Sequence, residues 1–316
     1  MKNKLLIPMI LLLLVISSAC GSQASNNESA PSENAAPAPA ADSNESGKIT
    51  YQSERGPVEV PAEPKRIVAL TNAPNVLALS GALVGVDQWT NANPLFTEKL
   101  EGVEVVSEAD LEKIAAQDPD LIIVGTEMKN IDELSKIAPT VAYTWGKLDY
   151  LAQQLAIGKL LNKEKEAQAW VDDFKQRAEA AGKEIKAKVG ENVTVSVFET
   201  DTKNFYVFGD KWARGTEILY QAMGLHMPDS VKKDALGPGY YTLSQEVLPK
   251  YAGDYIVLSR DLDSEKSFMD SEVWKSIPAV KNNHVIEIDT KASSYSDPIT
   301  LEYLLGIFKK GFLGEE

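Results

Sequence analysis

Lys163 to Val189 is the stretch that most limits what this chain can become. Ala167, Trp170, Val171, Phe174, Ala178, Ala181 and Ile185 recur at steps of three and four, which stripes one face of an α-helix. Asn162 precedes the run as a cap and Gly190 follows it as a stop. Such a helix is about 40 Å long at its usual rise per residue. That is long for one globular domain and suits a rod joining two lobes. Trp170 lies on the apolar stripe and reads as core, whereas Glu164, Glu166, Lys183 and Lys186 read as a solvated face. The expected division is a first lobe over 48–162, a connecting helix over 163–190 and a second lobe over 191–316.

The first flank alternates short strands with helices. Strands are expected at Lys65–Leu70, Val84–Val86, Leu121–Gly125 and Pro139–Tyr143, and helices at Ala73–Gly81, Asp110–Ala116 and Ile131–Ile137. This alternation argues for a parallel α/β sheet. Such sheets bind ligands at the carboxyl ends of their strands. Those ends carry Thr71 and Asn72, then Trp89, Thr90 and Asn91, then Glu127 and Met128, and finally Trp145. No GxGxxG or GxxxxGK[ST] follows any of them, so nucleotide binding has no support.

The second flank reads as another α/β unit. Thr194–Glu199 alternates like a half-buried strand, and Tyr206–Phe208 follows. The chain then turns at Gly209-Asp210, shows Trp212 and Arg214, and enters a helix with Ile218, Leu219, Ala222 and Met223 on one face and Gly224 at its end. Gly237–Tyr241 reads as a turn presenting Tyr240 and Tyr241, and Ser244–Leu248 as a short helix. Strands are expected at Tyr255–Ser259 and Val285–Asp289. A last helix runs over Asp297–Phe312, with Asp297 as cap and Pro298 at its first position.

The chain start belongs to neither lobe. Lys2 and Lys4 lead into the apolar run Leu5–Ile16, too short to span a bilayer, and Ser17, Ser18 and Ala19 precede Cys20. This resembles a bacterial lipoprotein signal over 1–19, with Cys20 lipidated as the mature N-terminus; Ser17 stands where the usual pattern has Leu, Val or Ile. Cys20 is the one cysteine in the sequence, so it has no intramolecular disulfide partner. Residues 20–47 hold almost no large apolar side chain and read as a disordered tether. At roughly 5–6 Å times the square root of its length, it reaches about 30 Å from the outer face of the cytoplasmic membrane. The formal net charge of -14 argues against nucleic acid or an anionic membrane surface as the main partner.

Catalysis finds little footing. The sequence has two histidines, His226 and His284, neither beside a recognisable nucleophile, and no GxSxG. Both histidines read as surface residues. Clustered metal ligands are not evident, so direct capture of a metal ion is not expected. Binding is better supported. Trp145, Tyr206, Trp212, Tyr240, Tyr241 and Tyr295 fall in loops or at strand ends, where aromatics line small-molecule clefts. Arg214 is either a salt-bridged residue or a ligand contact, and its place beside Trp212 before a helix favours the second. A guanidinium offers planar donors that suit carbonyl or hydroxamate oxygens.

These stretches together carry a resemblance. PKRIVAL, DLEKIAAQDPDLIIVG, IAPTV, YVFGDKWARGTEILYQAMGL, LSQEVLPKYAGDYIVL, VWKSIPAVKNNHVIEID and DPITLEYL, in that order over about 48–313, resemble the substrate-binding lipoproteins of bacterial ABC importers for iron–siderophores. The resemblance implies two Rossmann-like lobes joined by one long helix, the class III periplasmic-binding-protein arrangement, with no enzymatic activity and no resident cofactor. The tyrosine-six-before-WxRG pattern is similar to the hydroxamate binders and implies ligand contact by Trp212, Arg214 and Tyr206. Trp145 would occupy an aromatic position after the PTV strand. Tyr295 stands where relatives often carry tryptophan, and Tyr240-Tyr241 depart in detail.

Glu112 and Glu246, one acid per lobe, would dock onto arginines of the permease, whose ATPase drives uptake. The protein is expected to act as a monomer. A ferric tris-catecholate carries three negative charges and its binders gather cations, whereas a ferric trihydroxamate centre is neutral. One arginine among aromatics therefore favours a ferrichrome- or ferrioxamine-like ligand, with iron already held by the siderophore. The alternatives are the same fold with a catecholate or carboxylate siderophore, haem or cobalamin, and, from another class, an extracytoplasmic enzyme.

Overall fold

The apolar runs become two five-stranded sheets in a computed structural model, which describes residues 47–201, 204–263 and 266–314. The expected signal segment, Cys20 and the tether up to residue 46 lie outside the described residues. An antiparallel hairpin that sequence reading passed over comes first: β1 (Lys48–Ser53) and β2 (Gly56–Pro61). It docks by burying Tyr51 and Val60, and Tyr51 shares a 2.8 Å hydrogen bond with Tyr143.

The first sheet holds β3 (Ile67–Ala69), β4 (Leu83–Val86), β5 (Glu104–Val105), β6 (Leu121–Gly125) and β7 (Thr140–Tyr143), all parallel, in the order β5-β4-β3-β6-β7. Every residue of β3, β6 and β7 is buried, as strands covered on both faces require. The connecting helices are α1 (Ala73–Ala78), α2 (Gln88–Ala92), α3 (Leu111–Ala116) and α4 (Ile131–Ile137). The strand order reverses between β3 and β6, so the loops leaving those strands diverge and open a crevice.

The long helix joins the two sheets, and a shorter helix precedes it. α5 (Tyr150–Leu160), unforeseen from sequence, leads through a tight turn into α6 (Glu164–Val189). Asn162 does not cap α6: it takes a left-handed φ of 55° inside that turn, and Lys163 holds the cap position without a side-chain bond. Trp170 stacks on the buried Phe174 at 5.0 Å and donates its indole N–H to Glu302.

The second sheet holds β8 (Val195–Thr200), β9 (Phe205–Phe208), β10 (Tyr240–Leu243), β11 (Tyr255–Arg260) and β12 (Val285–Asp289), in the order β10-β9-β8-β11-β12. β8, β11 and β12 are parallel, while β9 runs antiparallel to both of its neighbours, β8 and β10. The helices are α7 (Asp229–Ala235), α8 (Leu248–Tyr251), α9 (Glu272–Ser276), α10 (Pro278–Lys281) and α11 (Pro298–Leu313).

The second lobe departs from expectation at three places. β8 is not half-buried: Val195 to Phe198 are all buried, and the small hydroxyl of Ser196 is accommodated by bonding the Tyr251 carbonyl. Tyr240 and Tyr241 sit on strand β10 rather than in a turn. The helix after Trp212 is a π-helix over Glu217–Ala222, closed by the Met223 N–H on the Ile218 carbonyl. Asp297 does cap α11, accepting from the N–H groups of Ile299 and Thr300.

The sheets interlock through their connections. Tyr150 and Leu151 of α5 pack on the second core, whereas Tyr295 and Ile299 pack on the first. No helix among the described residues is long and apolar enough to cross a membrane.

Candidate functional site

The cleft begins with an unusual turn. Ala213, Arg214 and Gly215 take left-handed φ angles of 58°, 54° and 76° in succession. For side chains with a Cβ this costs energy, and it persists only where surrounding bonds over-determine it. Here they do. The Trp212 N–H donates to the Thr216 hydroxyl, the Ala213 N–H to the Glu217 carboxylate and the Arg214 N–H to the Ser293 carbonyl. Gly215 is required as well, since a Cβ there would lie 2.4 Å from the Phe308 ring. Gly239, with φ of 94°, lets its backbone lie against the Trp212 ring, where a Cβ would come within 2.3 Å. That glycine sits in GPGYY, which sequence reading valued for its tyrosines.

Between the sheets lies a cavity of about 1010 Å³. From the first lobe it is walled by Thr71, Asn72 and the loop Trp145–Leu148, and from the second by Trp212–Arg214, Tyr295 and Ser296. Trp145 meets Trp212 edge-on across it, ring centroids 4.9 Å apart. Trp145, Trp212, Arg214, Tyr295 and Asn72 thus come together as cavity lining.

Four other candidates do not line it. Trp89, in the short α2 capped by Asp87, is 72% exposed elsewhere on the first lobe. Tyr206 donates its hydroxyl to Asp201 and packs its ring near Tyr240. Tyr240 in turn lies 5.2 Å from Trp212, so Tyr206 and Tyr240 extend the aromatic wall outward without facing the cavity. Tyr241, its neighbour along the strand, stacks on Tyr251 instead.

Arg214 turns out to be both things the sequence allowed. It lines the cavity, and it is also ion-paired: Nε and Nη2 donate to the two Glu199 oxygens at 2.7 and 2.9 Å. Its guanidinium also lies over the Phe208 ring at 5.0 Å.

Two buried acids form the floor. Burial pushes the Glu217 carboxyl up, although bonds from Ala213, Ser296 and Thr216 act against it. Burial likewise raises Asp297 to about 6, despite its bonds to Thr300 and Ile299. Tyr295 and Tyr150 are each pushed up to about 12, first by burial and then by nearby carboxylates. Glu217, Gly239 and the residues of α5 escaped sequence reading, and Asp297 was legible there only as a helix cap. Nothing in one sequence distinguishes a buried helix-start acid from an exposed one.

Elsewhere, Glu112 and Glu246 are exposed, in the first turns of α3 and of a 3-10 turn over Gln245–Val247. His226 is exposed as expected. His284 is only half-exposed, because its ring stacks on Tyr255 at 4.2 Å. Among the described residues no group of three or more His, Cys, Asp or Glu is placed to hold a metal ion.

The sequence profile described as periplasmic binding protein matches residues 68–292. The iron(3+)-hydroxamate-binding protein FhuD of Bacillus subtilis (strain 168) is 36% identical, over 92% of this chain and 92% of its own length. Among solved structures, the FhuD protein from S. pseudintermedius superposes with a TM-score of 0.77 at 34% identity, covering 85% of this chain and 99% of that one. FhuD2 from Staphylococcus aureus with bound ferrioxamine B superposes with a TM-score of 0.75 at 35% identity, covering 79% and 99%.

Proposed function

This chain belongs to the periplasmic binding protein family, and we propose that it captures a ferric hydroxamate siderophore outside the cytoplasm and delivers it to the permease of an ABC importer. The observation that carries this reading is the cavity between Trp145 and Trp212, whose arginine is already neutralised by Glu199. Its wall holds Lys147, Lys211 and Arg214 against Glu127, Asp149, Asp210, Glu217 and Asp297. Lys147 is itself paired with Glu54 at 3.1 Å. A ferric tris-catecholate, with three negative charges, would meet no surplus of cations here. A neutral trihydroxamate centre needs only donors for its oxygens and apolar surface for its backbone. The hydroxamate-binding relatives named above support the same ligand class.

In this reading Trp212, Arg214 and Tyr295 supply the second-lobe wall, and Trp145 and Asn72 the facing one. Tyr206 and Tyr240 act at the outer rim, while Trp89 and Tyr241 contribute least. Iron stays coordinated by the siderophore. Cys20 carries the lipid anchor and the chain works as a monomer. Glu112 and Glu246 dock the two lobes onto the permease; reversing both charges leaves siderophore affinity intact and stops uptake, and normal uptake by the double variant would reject the docking role.

Titration of tryptophan fluorescence separates the ligand classes. Ferrioxamine B and a ferrichrome should quench it, and a ferric tris-catecholate should not. Quenching by the catecholate alone would overturn the assignment.

A further inference from the structure

Glu199 is not part of the cavity wall, yet it stands directly behind Arg214. We propose that Glu199 sets the charge selectivity of the cleft, by cancelling the charge of Arg214 while leaving its remaining N–H groups available to a ligand. The proposal rests on the siderophore reading above and names the residue that tunes it.

The geometry begins in the sheet. Glu199 near the end of β8 is the register partner of Ser259 near the end of β11, and Thr290 follows β12. The Ser259 hydroxyl donates to Glu199 Oε2 at 2.8 Å, and Ser259 and Thr290 share a further 2.8 Å bond. A polar ladder therefore crosses the carboxyl ends of three neighbouring parallel strands, at the point where the strand order reverses. The ladder holds the carboxylate so that both oxygens face Arg214.

Both partners are largely shielded, with side-chain exposures of 18% for Arg214 and 14% for Glu199. A charge in such a place is costly unless it is paired, and pairing it makes the unit close to neutral as seen from the cavity. A guanidinium has five N–H donors. Two go to Glu199 and one goes from Nη1 to the Trp212 carbonyl at 3.3 Å, leaving two for a ligand oxygen. Arg214 thus acts as an oriented donor rather than as an open cation. A bare arginine would favour anionic ligands; a compensated one ranks ligands by hydrogen bonding and shape.

The test uses one iron chelate in three charge states: ferrioxamine B with its pendant ammonium, its uncharged N-acetyl derivative, and its N-succinyl derivative with a carboxylate. The wild-type dissociation constants should agree within about threefold. Glu199→Gln keeps an acceptor for the guanidinium and removes the charge. It should shift the anionic-to-cationic affinity ratio by about tenfold toward the anion, or 1.4 kcal/mol. Ser259→Ala loosens the carboxylate without removing charge, and should lower all three affinities by a common factor. A folded Glu199→Gln protein with a ratio within twofold of wild type would overturn the proposal. If that variant does not fold, the wild-type series decides, since a tenfold native preference for the anion would mean that Arg214 is uncompensated. Failure of all three ligands to bind wild type would instead reject the hydroxamate reading.

Discussion

The two walls of the cleft are built differently. The second-lobe wall, Trp212–Gly215, keeps three successive left-handed residues in place with a hydrogen bond on each of three backbone N–H groups and an ion pair behind the arginine. The first-lobe wall, Trp145–Leu148, is an exposed loop, with Trp145 at 70% exposure and Gly146 at a φ of 73°. It is tied down mainly at its base, where Thr144 bonds Thr126 and Glu54 and Lys147 pairs with the same glutamate. A wall fixed before the ligand arrives loses little freedom on binding, whereas an exposed aromatic loop must be ordered at that moment. The fixed wall should therefore carry most of the affinity, and the exposed wall should close over the ligand. On this account an entering siderophore should part the edge-on contact of the two tryptophans.

Arg214→Ala should have the largest effect. Affinity for a ferric trihydroxamate should fall roughly a hundredfold by fluorescence titration, because charge-assisted bonds are lost. Glu199 is then left part-buried without its partner, so a thermal melt should also show a loss of about 1–3 kcal/mol, with unfolding still cooperative. Gly239→Ala comes next. Its new methyl group would displace the Trp212 ring, and its φ of 94° strains any side chain, so affinity should drop about tenfold without removing a single contact atom of the wall. Trp145→Ala should cost only about threefold, since it removes apolar area from the exposed wall alone. A Trp145 variant as impaired as the Arg214 variant would break the contrast between the walls.

The smallest expected change in binding is for Asp297→Asn, which reads out through pH. Asparagine still caps a helix. The unfolded carboxyl ionises near 3.8 and the folded one near about 6, so the folded state holds the extra proton between those values. Native stability contributed by Asp297 is therefore full below about pH 4 and is lost as pH rises toward 6. Relative to wild type, the variant should gain on the order of 3 kcal/mol across that window. A stability difference that does not change with pH would show that burial does not perturb this acid.

Much of this was legible in the sequence, because the strong signals are local. Leu121–Gly125, Ile131–Ile137 and Val285–Asp289 declare themselves by continuous or periodic apolar residues, and the long helix by its stripe. Trp212 and Arg214 are legible because an aromatic and a cation at a turn before a helix suit the lining of a small-molecule cleft. What escaped depends on contacts between distant residues. The β1–β2 hairpin is fixed by Tyr51 meeting Tyr143, and the π-helix by how its backbone closes on the long helix at Gly182. Ser196 makes β8 look half-polar, yet its hydroxyl finds a carbonyl 55 residues away. Glu199 reads as an ordinary strand-end acid until Arg214, 15 residues later, folds back onto it. The outward turn of Tyr241 follows from the pleat of a strand that Gly237-Pro238-Gly239 disguised as a turn.

A crystal structure of the protein with ferrioxamine B tests the central claim most directly. The ferric centre should lie between Trp145 and Trp212, with a hydroxamate oxygen within hydrogen-bond distance of an Arg214 N–H and the Arg214–Glu199 pair intact. Iron bound outside that cleft, or an Arg214 that turns away from the ligand, would contradict the account.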